Sequence, residues 1–335
     1  SENKFSKKKI KINNSNIFLK DNLNEVISII KISNAFLFFD EKNLFNLFGL
    51  KGEIFNIPFT LNYQNTINSQ KNINIKAPDL KLKIINKFIK KDEDLKSGMN
   101  NISILNSSIN TKYSIKDQIV IFQSDGSKTF NSKINYNGQL AINPFDLNLK
   151  IDLYNYKISN LFRQNSIINE FIKSGLLFNE NISVHTLVNI KSTKKDKIFN
   201  EAKLELKVLN GKINFDKSMF INNNIGLLEV SNSDLFLEND RLILTANLSI
   251  DIKNIDRLYS FLNTNKRLRK DIKNIKLNII YDLLGDEIAF KNIKIDENKV
   301  SDQFYNITEG FNDTNFNNLT KSRRLLNELI GLYEG

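Results

Sequence analysis

Alternation of period two dominates the chain. Phe145, Leu147, Leu149, Ile151 and Leu153 are apolar, while Asp146, Asn148, Lys150 and Asp152 between them are polar. Successive side chains of a strand point to opposite faces, so this run predicts a strand with one buried face, about 30 Å long at roughly 3.3 Å per residue. Ala202, Leu204, Leu206 and Val208 repeat the pattern against Lys203, Glu205 and Lys207, and Ile275, Leu277, Ile279 and Tyr281 repeat it against Lys276 and Asn278. The longest run puts Leu242, Leu244, Ala246, Leu248, Ile250 and Ile252 on one face and Thr245, Asn247, Ser249 and Asp251 on the other. Parallel strands covered on both faces would read as unbroken apolar runs, so alternation predicts antiparallel pairing with one polar face.

Turn residues separate these runs. Asn137-Gly138 and Asn210-Gly211 each lie between apolar runs and supply the two positive-φ residues that a type I′ hairpin needs. Asp125-Gly126, Asn239-Asp240 and Gly285-Asp286 punctuate other runs. Helical spacing is confined to short pieces. These are Leu161 to Ile172 before Gly175, Ile255 to Leu262 behind a candidate N-cap at Asn254, and Leu44 to Phe48 ended by Gly49. Asp296 to Asn317 is polar and weakly periodic, which reads as a linker, and Leu319 to Tyr333 recovers an amphipathic helix.

The expected fold is therefore mostly β: a long, twisted antiparallel sheet of repeating hairpins curled into a groove, with a few short helices and a C-terminal helix. The sheet domain covers 1–296, with sub-repeats at about 1–155 and 176–296 joined by a helix near 157–174. A linker at 297–317 and an amphipathic helix at 318–335 complete the chain. One internal repeat stands out: Gly52 to Leu61 and Gly138 to Leu147 share Gly-x-Ile/Leu-x-x-x-Pro-Phe-x-Leu, aligning two of the three prolines. Repetition of one supersecondary unit extends a sheet as an array.

Composition removes most chemistry. With Cys 0 and a single His, disulfides, thiol nucleophiles and ordinary zinc sites are excluded. His185 falls in the polar register of the Ile182/Val184/Val188 strand, and the acidic groups Asp92-Glu93-Asp94 and Asp286-Glu287 lie in turn-like sequence. No phosphate-binding loop, nucleophile elbow or His-Glu-x-x-His motif occurs, so neither a catalytic residue, a metal nor a cofactor is expected. The net charge of +11 arises in a sequence rich in Ile, Lys and Asn, the bias of AT-rich coding. Its lysines are spread along polar positions without interleaved aromatics, which argues against a nucleic-acid partner. No stretch is long and apolar enough for a membrane span, and no apolar region follows Lys7-Lys8-Lys9 to make a signal peptide.

What remains is the apolar face itself, which few helices could cover. Either the sheet closes on itself around ordinary core packing, or it leaves a trough for apolar ligand. At about 0.8 kcal/mol per methylene, an acyl chain of about 15 methylenes carries roughly 12 kcal/mol of transfer free energy, which an extended apolar strip offsets along its whole length. The candidate lining residues are Phe145, Leu147, Leu149, Ile151, Leu204, Leu206, Leu244, Leu248, Ile250, Leu277 and Ile279.

The repeated Gly-x-Ile/Leu…Pro-Phe-x-Leu hairpins, the long alternating strands and the short helix from Asn254 to Leu262 resemble the AsmA-like proteins of bacterial envelopes. Gly211-Lys212-Ile213-Asn214-Phe215, Leu227 to Val230 and Leu242 to Ala246 resemble the C-terminal portion of such a protein. The resemblance covers roughly residues 30 to 296 and rests on loose patterns. It implies a periplasmic β-groove protein held at the inner membrane, here through a segment outside this chain. It also implies phospholipid or another acyl lipid as the partner, with roles in lipid transport toward the outer membrane and in outer-membrane biogenesis. The family carries no catalytic residues. The alternative is a non-enzymatic envelope scaffold or assembly module with a closed β core.

Overall fold

The computed structural model describes residues 4–20, 26–54, 56–66, 70–90, 96–104, 107–129, 132–158, 176–192, 199–239, 241–312 and 319–333. The described residues form 21 strands and three α-helices, so the molecule is mostly β, as the alternation requires. The chain divides into two compact units, 1–142 and 143–335.

Unit 1 is a meander. Its strands are β1 (Ile10–Lys20), β2 (Val26–Asp40), β3 (Phe45–Ile54), β4 (Ile57–Thr66), β5 (Gln70–Ala77), β6 (Leu82–Lys90), β7 (Lys96–Ile104) and β8 (Ser107–Lys116). Each pairs antiparallel with the next. Beyond β8 the next strand is interrupted: β9 (Ile119–Ser124) pairs with one end of β8 and β10 (Lys128–Thr129) with the other, and both pair with β11 (Ser132–Ala141). The interruption would leave the Asn110 N–H unpaired, while its C=O also accepts from the Asp125 N–H at 2.8 Å and the Tyr136 hydroxyl at 3.0 Å. The Ser127 hydroxyl fills the gap, accepting the Asn110 N–H at 2.8 Å and donating to its C=O at 2.9 Å, because buried backbone groups must find partners.

Unit 2 repeats this device. Its strands are β12 (Phe145–Tyr154), β13 (Ile182–Lys191), β14 (Glu201–Leu209), β15 (Lys212–Asn214), β16 (Met219–Asn222), β17 (Gly226–Glu238), β18 (Arg241–Ile252), β19 (Asn274–Asp282), β20 (Glu287–Ile295) and β21 (Asn298–Lys299). Short β15 and β16 together form one interrupted strand between β14 and β17. Ser218 sits in the break, accepting the Glu205 N–H at 3.0 Å and donating to the Glu205 C=O at 3.4 Å. Three helices follow: α1 (Ile255–Leu262), α2 (Asp302–Glu309) and α3 (Leu319–Leu332). The Asn254 side chain accepts from the Arg257 N–H at 3.0 Å, the expected N-cap, and Asn263 closes α1 with φ 58°.

Several expectations change. The pairing is mixed, since β12 and β13 run parallel in register from Phe145/Ile182 to Tyr154/Lys191. Leu44 to Phe48 is not a helix but the approach to and start of β3, held by full-length pairing with β2 and β4 that overrides a short helical spacing. Gly49 lies mid-strand beneath the Phe36 ring, where a Cβ would come within 2.4 Å of it. Asn137-Gly138 makes no turn. Both lie inside β11, opposite Gln123 and Phe122, and neither has positive φ. Asn210 and Gly211 do turn the chain, at φ 51° and 69°. The stretch read as a linker holds β21 and α2, because buried Phe304 packs with Ile272 and Ile295 and so anchors an otherwise polar helix. The two copies of the proline motif both join strand ends, but differently: Pro58 pairs with Glu53 inside the β3/β4 ladder, whereas Pro144 lies in a turn after a cis peptide bond. The helix expected near 157–174 falls mostly outside the described residues.

Candidate functional site

Strand register places side chains on common faces, because directly paired residues point the same way. In unit 1, Ile12, Ala35, Leu50, Leu61, Ile75, Ile84, Ile102 and Ile109 are successive cross-strand partners from β1 to β8. At about 4.8 Å per strand this is one apolar row roughly 34 Å long. It is little covered: among the described residues of β4 to β11, Ala77 is the one buried apolar side chain, and the rest of the row beyond Leu50 is half-buried. No α-helix lies in the described part of unit 1.

Polar groups interrupt that face. Tyr113 donates to Asn86 Oδ1 at 2.7 Å, the Thr111 and Tyr136 hydroxyls meet at 2.6 Å, and buried Oδ1 atoms of Asn65 and Asn100 have no hydrogen-bond partner among the described residues. Burial pushes the Tyr113 phenol up, against the opposing effect of its bond to Asn86.

In unit 2 all eleven candidate residues share one face. On β12, Leu149 and Ile151 align through Thr186 and Val188 of β13 with Leu206 and Leu204 on β14, and Phe145 and Leu147 continue the same face opposite Ile182 and Val184. Across β17, Leu244, Leu248 and Ile250 on β18 align with Tyr281, Leu277 and Ile275 on β19, and Ile279 sits opposite Ala246. None is fully buried: Phe145 is 37% exposed and the others are half-buried. The two ends of this face are packed. At one end Leu177 fills a cluster with Val184, Val208, Ile213, Leu235 and Leu242, which Leu147, Leu206 and Leu244 abut. At the other, Ile158 covers Ile190, Ala202 and Phe220, with Leu204 at its margin, while α2 and α3 close over Ile295 through Phe304, Leu329 and Leu332. Between the ends lie Leu149, Ile151, Leu248, Leu277 and Ile279, which belong to none of these packed clusters.

The apolar strip of β12 to β20 carries no ionised side chain. Charge sits on the opposite face. His185 lies there as its register predicts, Nε2 at 3.1 Å from Glu205 Oε1, with Lys207 Nζ at 3.0 Å from the same oxygen. Lys207, then His185, hold the Glu205 carboxyl below its usual range despite burial. At the end of β19, burial works to raise Asp282. Arg241 Nε at 2.7 Å and the N–H groups of Leu284 and Gly285 outweigh it, so the carboxyl stays low.

All eleven candidate residues lie in unit 2, and the row in unit 1 is not among them. Its signal was present in Ile73, Ile75 and Ala77 alternating with Asn72, Asn74 and Lys76. Among the described residues, no helix is long and apolar enough to cross a membrane. Comparison with family models, with curated proteins and with solved structures finds no match to this chain.

Proposed function

We propose that this chain binds acyl lipid along the apolar faces of its sheets and passes it between envelope membranes. In this reading it is a periplasmic, non-enzymatic lipid-transfer protein of the AsmA-like type, serving phospholipid transport and outer-membrane biogenesis. The observation that carries it is the in-register apolar row of unit 1, half-buried through most of its length with no α-helix over it among the described residues. A large uncovered apolar surface is costly in water and marks a binding surface. A hydrocarbon chain laid along such a row exchanges water for side-chain contact at each strand and needs no specific polar anchor.

The packed clusters at both ends of the unit 2 face favour the second reading, a closed scaffold module of the envelope. Native mass spectrometry of gently purified protein separates the two. Phospholipid retained in proportion to protein supports transfer. A lipid-free, monodisperse protein that takes up no fluorescent phospholipid supports the scaffold. Leu248→Asp and Ile84→Asp lower uptake while the β circular-dichroism signal persists if these side chains line an open surface. Global unfolding in both places them in a sealed core, where an unpaired carboxylate is costly.

A further inference from the structure

The positive charge of the chain is unevenly divided. Residues 1–142 contain 21 Lys and no Arg against 12 acidic residues, a net +9; residues 143–335 contain 27 Lys and Arg against 25 acidic residues, a net +2. Codon bias acts on the whole sequence alike, so it does not account for this asymmetry. Strand register then concentrates the excess. Lys51, Lys76, Lys83, Lys128 and Lys133 occupy a single cross-strand row from β3 to β11, on the face opposite the apolar row, with hydroxyl side chains at the three positions between. All five are exposed, and none has an ion-pair partner among the described residues. Lys76 faces Lys83 directly and Lys128 faces Lys133 directly, and like charges at such positions destabilise a sheet. Glu53, a carboxylate of this face, is already engaged by Lys31, and Asp125 by Lys112.

We infer that this lysine row is a docking surface for an anionic lipid bilayer. Uncompensated like-charge pairs gain stability when an outside anion neutralises them. Ammonium groups are point charges without the fork that recognises one phosphate bidentately, so an Arg-free row suits a diffuse, fluid field of headgroups. Among the described residues no aromatic side chain stands on this face from β4 to β11, which argues against the stacking platform of a single-stranded nucleic-acid site. The inference concerns the polar face alone and goes beyond the proposed lipid carriage.

Flotation with unilamellar vesicles tests it. The full chain is expected to bind vesicles of phosphatidylcholine with 30% phosphatidylglycerol at about 50 mM salt, to leave pure phosphatidylcholine vesicles unbound, and to be released as salt rises and the field is screened. K51Q/K76Q/K83Q/K128Q/K133Q is expected to lose at least about tenfold in partitioning, with thermal stability unchanged or raised and uptake of fluorescent phospholipid retained. Equal binding to both vesicle types, salt-insensitive binding, unaltered binding by the variant, or tighter binding to single-stranded RNA than to anionic vesicles at the same salt would each overturn it.

Discussion

The two units use the same alternation and the same serine-plugged strand break but treat their apolar faces differently. Unit 2 brings covers from outside the sheet: Leu177, Ile158, Phe304 and the inner side of α3 seal its ends, and the residues beneath them, Ile190, Ile213 and Leu235, are almost wholly buried. Unit 1 has no such covers among its described residues, and its isoleucines shield one another sideways across neighbouring strands. Sideways contact removes part of each side chain from water, whereas a cover removes the rest. The same alternation therefore yields a packed body in one unit and a half-wet surface in the other.

The sharpest way to break this comparison is truncation of matched residues. Leu235→Ala removes a fully buried side chain and is expected to cost about 2–5 kcal/mol by denaturant unfolding. Ile84→Ala, at a half-buried site, is expected to cost about 1 kcal/mol. Equal losses would mean that unit 1 is also sealed. Asp282→Asn weakens the charge-assisted bonds to Arg241 and to the Leu284 and Gly285 amides, and is expected to cost about 1–2 kcal/mol. The folded Asp282 carboxyl lies low, so its contribution is complete above the unfolded value near 3.9 and is lost as pH falls through the folded value. Acid unfolding of the Asn variant should therefore lack that component.

Ser218→Ala removes the hydroxyl that serves both the Glu205 N–H and C=O, and Ser127→Ala orphans the Asn110 N–H, whose C=O keeps the Asp125 N–H and the Tyr136 hydroxyl. About 1–2 kcal/mol is expected for each, read by chemical denaturation and by faster hydrogen exchange of the Glu205 and Asn110 amides. A loss at Ser218 alone would mean that water replaces the hydroxyl in the more open unit 1. The smallest effect is expected at Lys76→Gln, which relieves the pairing with Lys83 and should raise the melting temperature slightly at low salt, with the gain shrinking as salt screens it.

Sequence alone determined the strand content, the polar and apolar faces, the Asn254 cap, the Asn210-Gly211 turn and the C-terminal helix. Each depends on residues close along the chain, through period two, period 3.6 or a local hydrogen bond. Alternation also fixed the parity of the eleven candidate residues within each strand, but their sharing one face came from pairing, since β12 and β13 run parallel and α1 lies between β18 and β19. Tertiary structure decided that Gly138 is a strand residue opposite Phe122, that Phe48 pairs in a sheet, and that Phe304 turns a polar stretch into a helix with an anchor. It decided as well that Lys76 and Lys83 share a row with Lys128 and Lys133, and which apolar residues receive a cover. These outcomes rest on partners tens of residues away, and a local pattern of oily and polar positions is the same whether or not such a partner arrives.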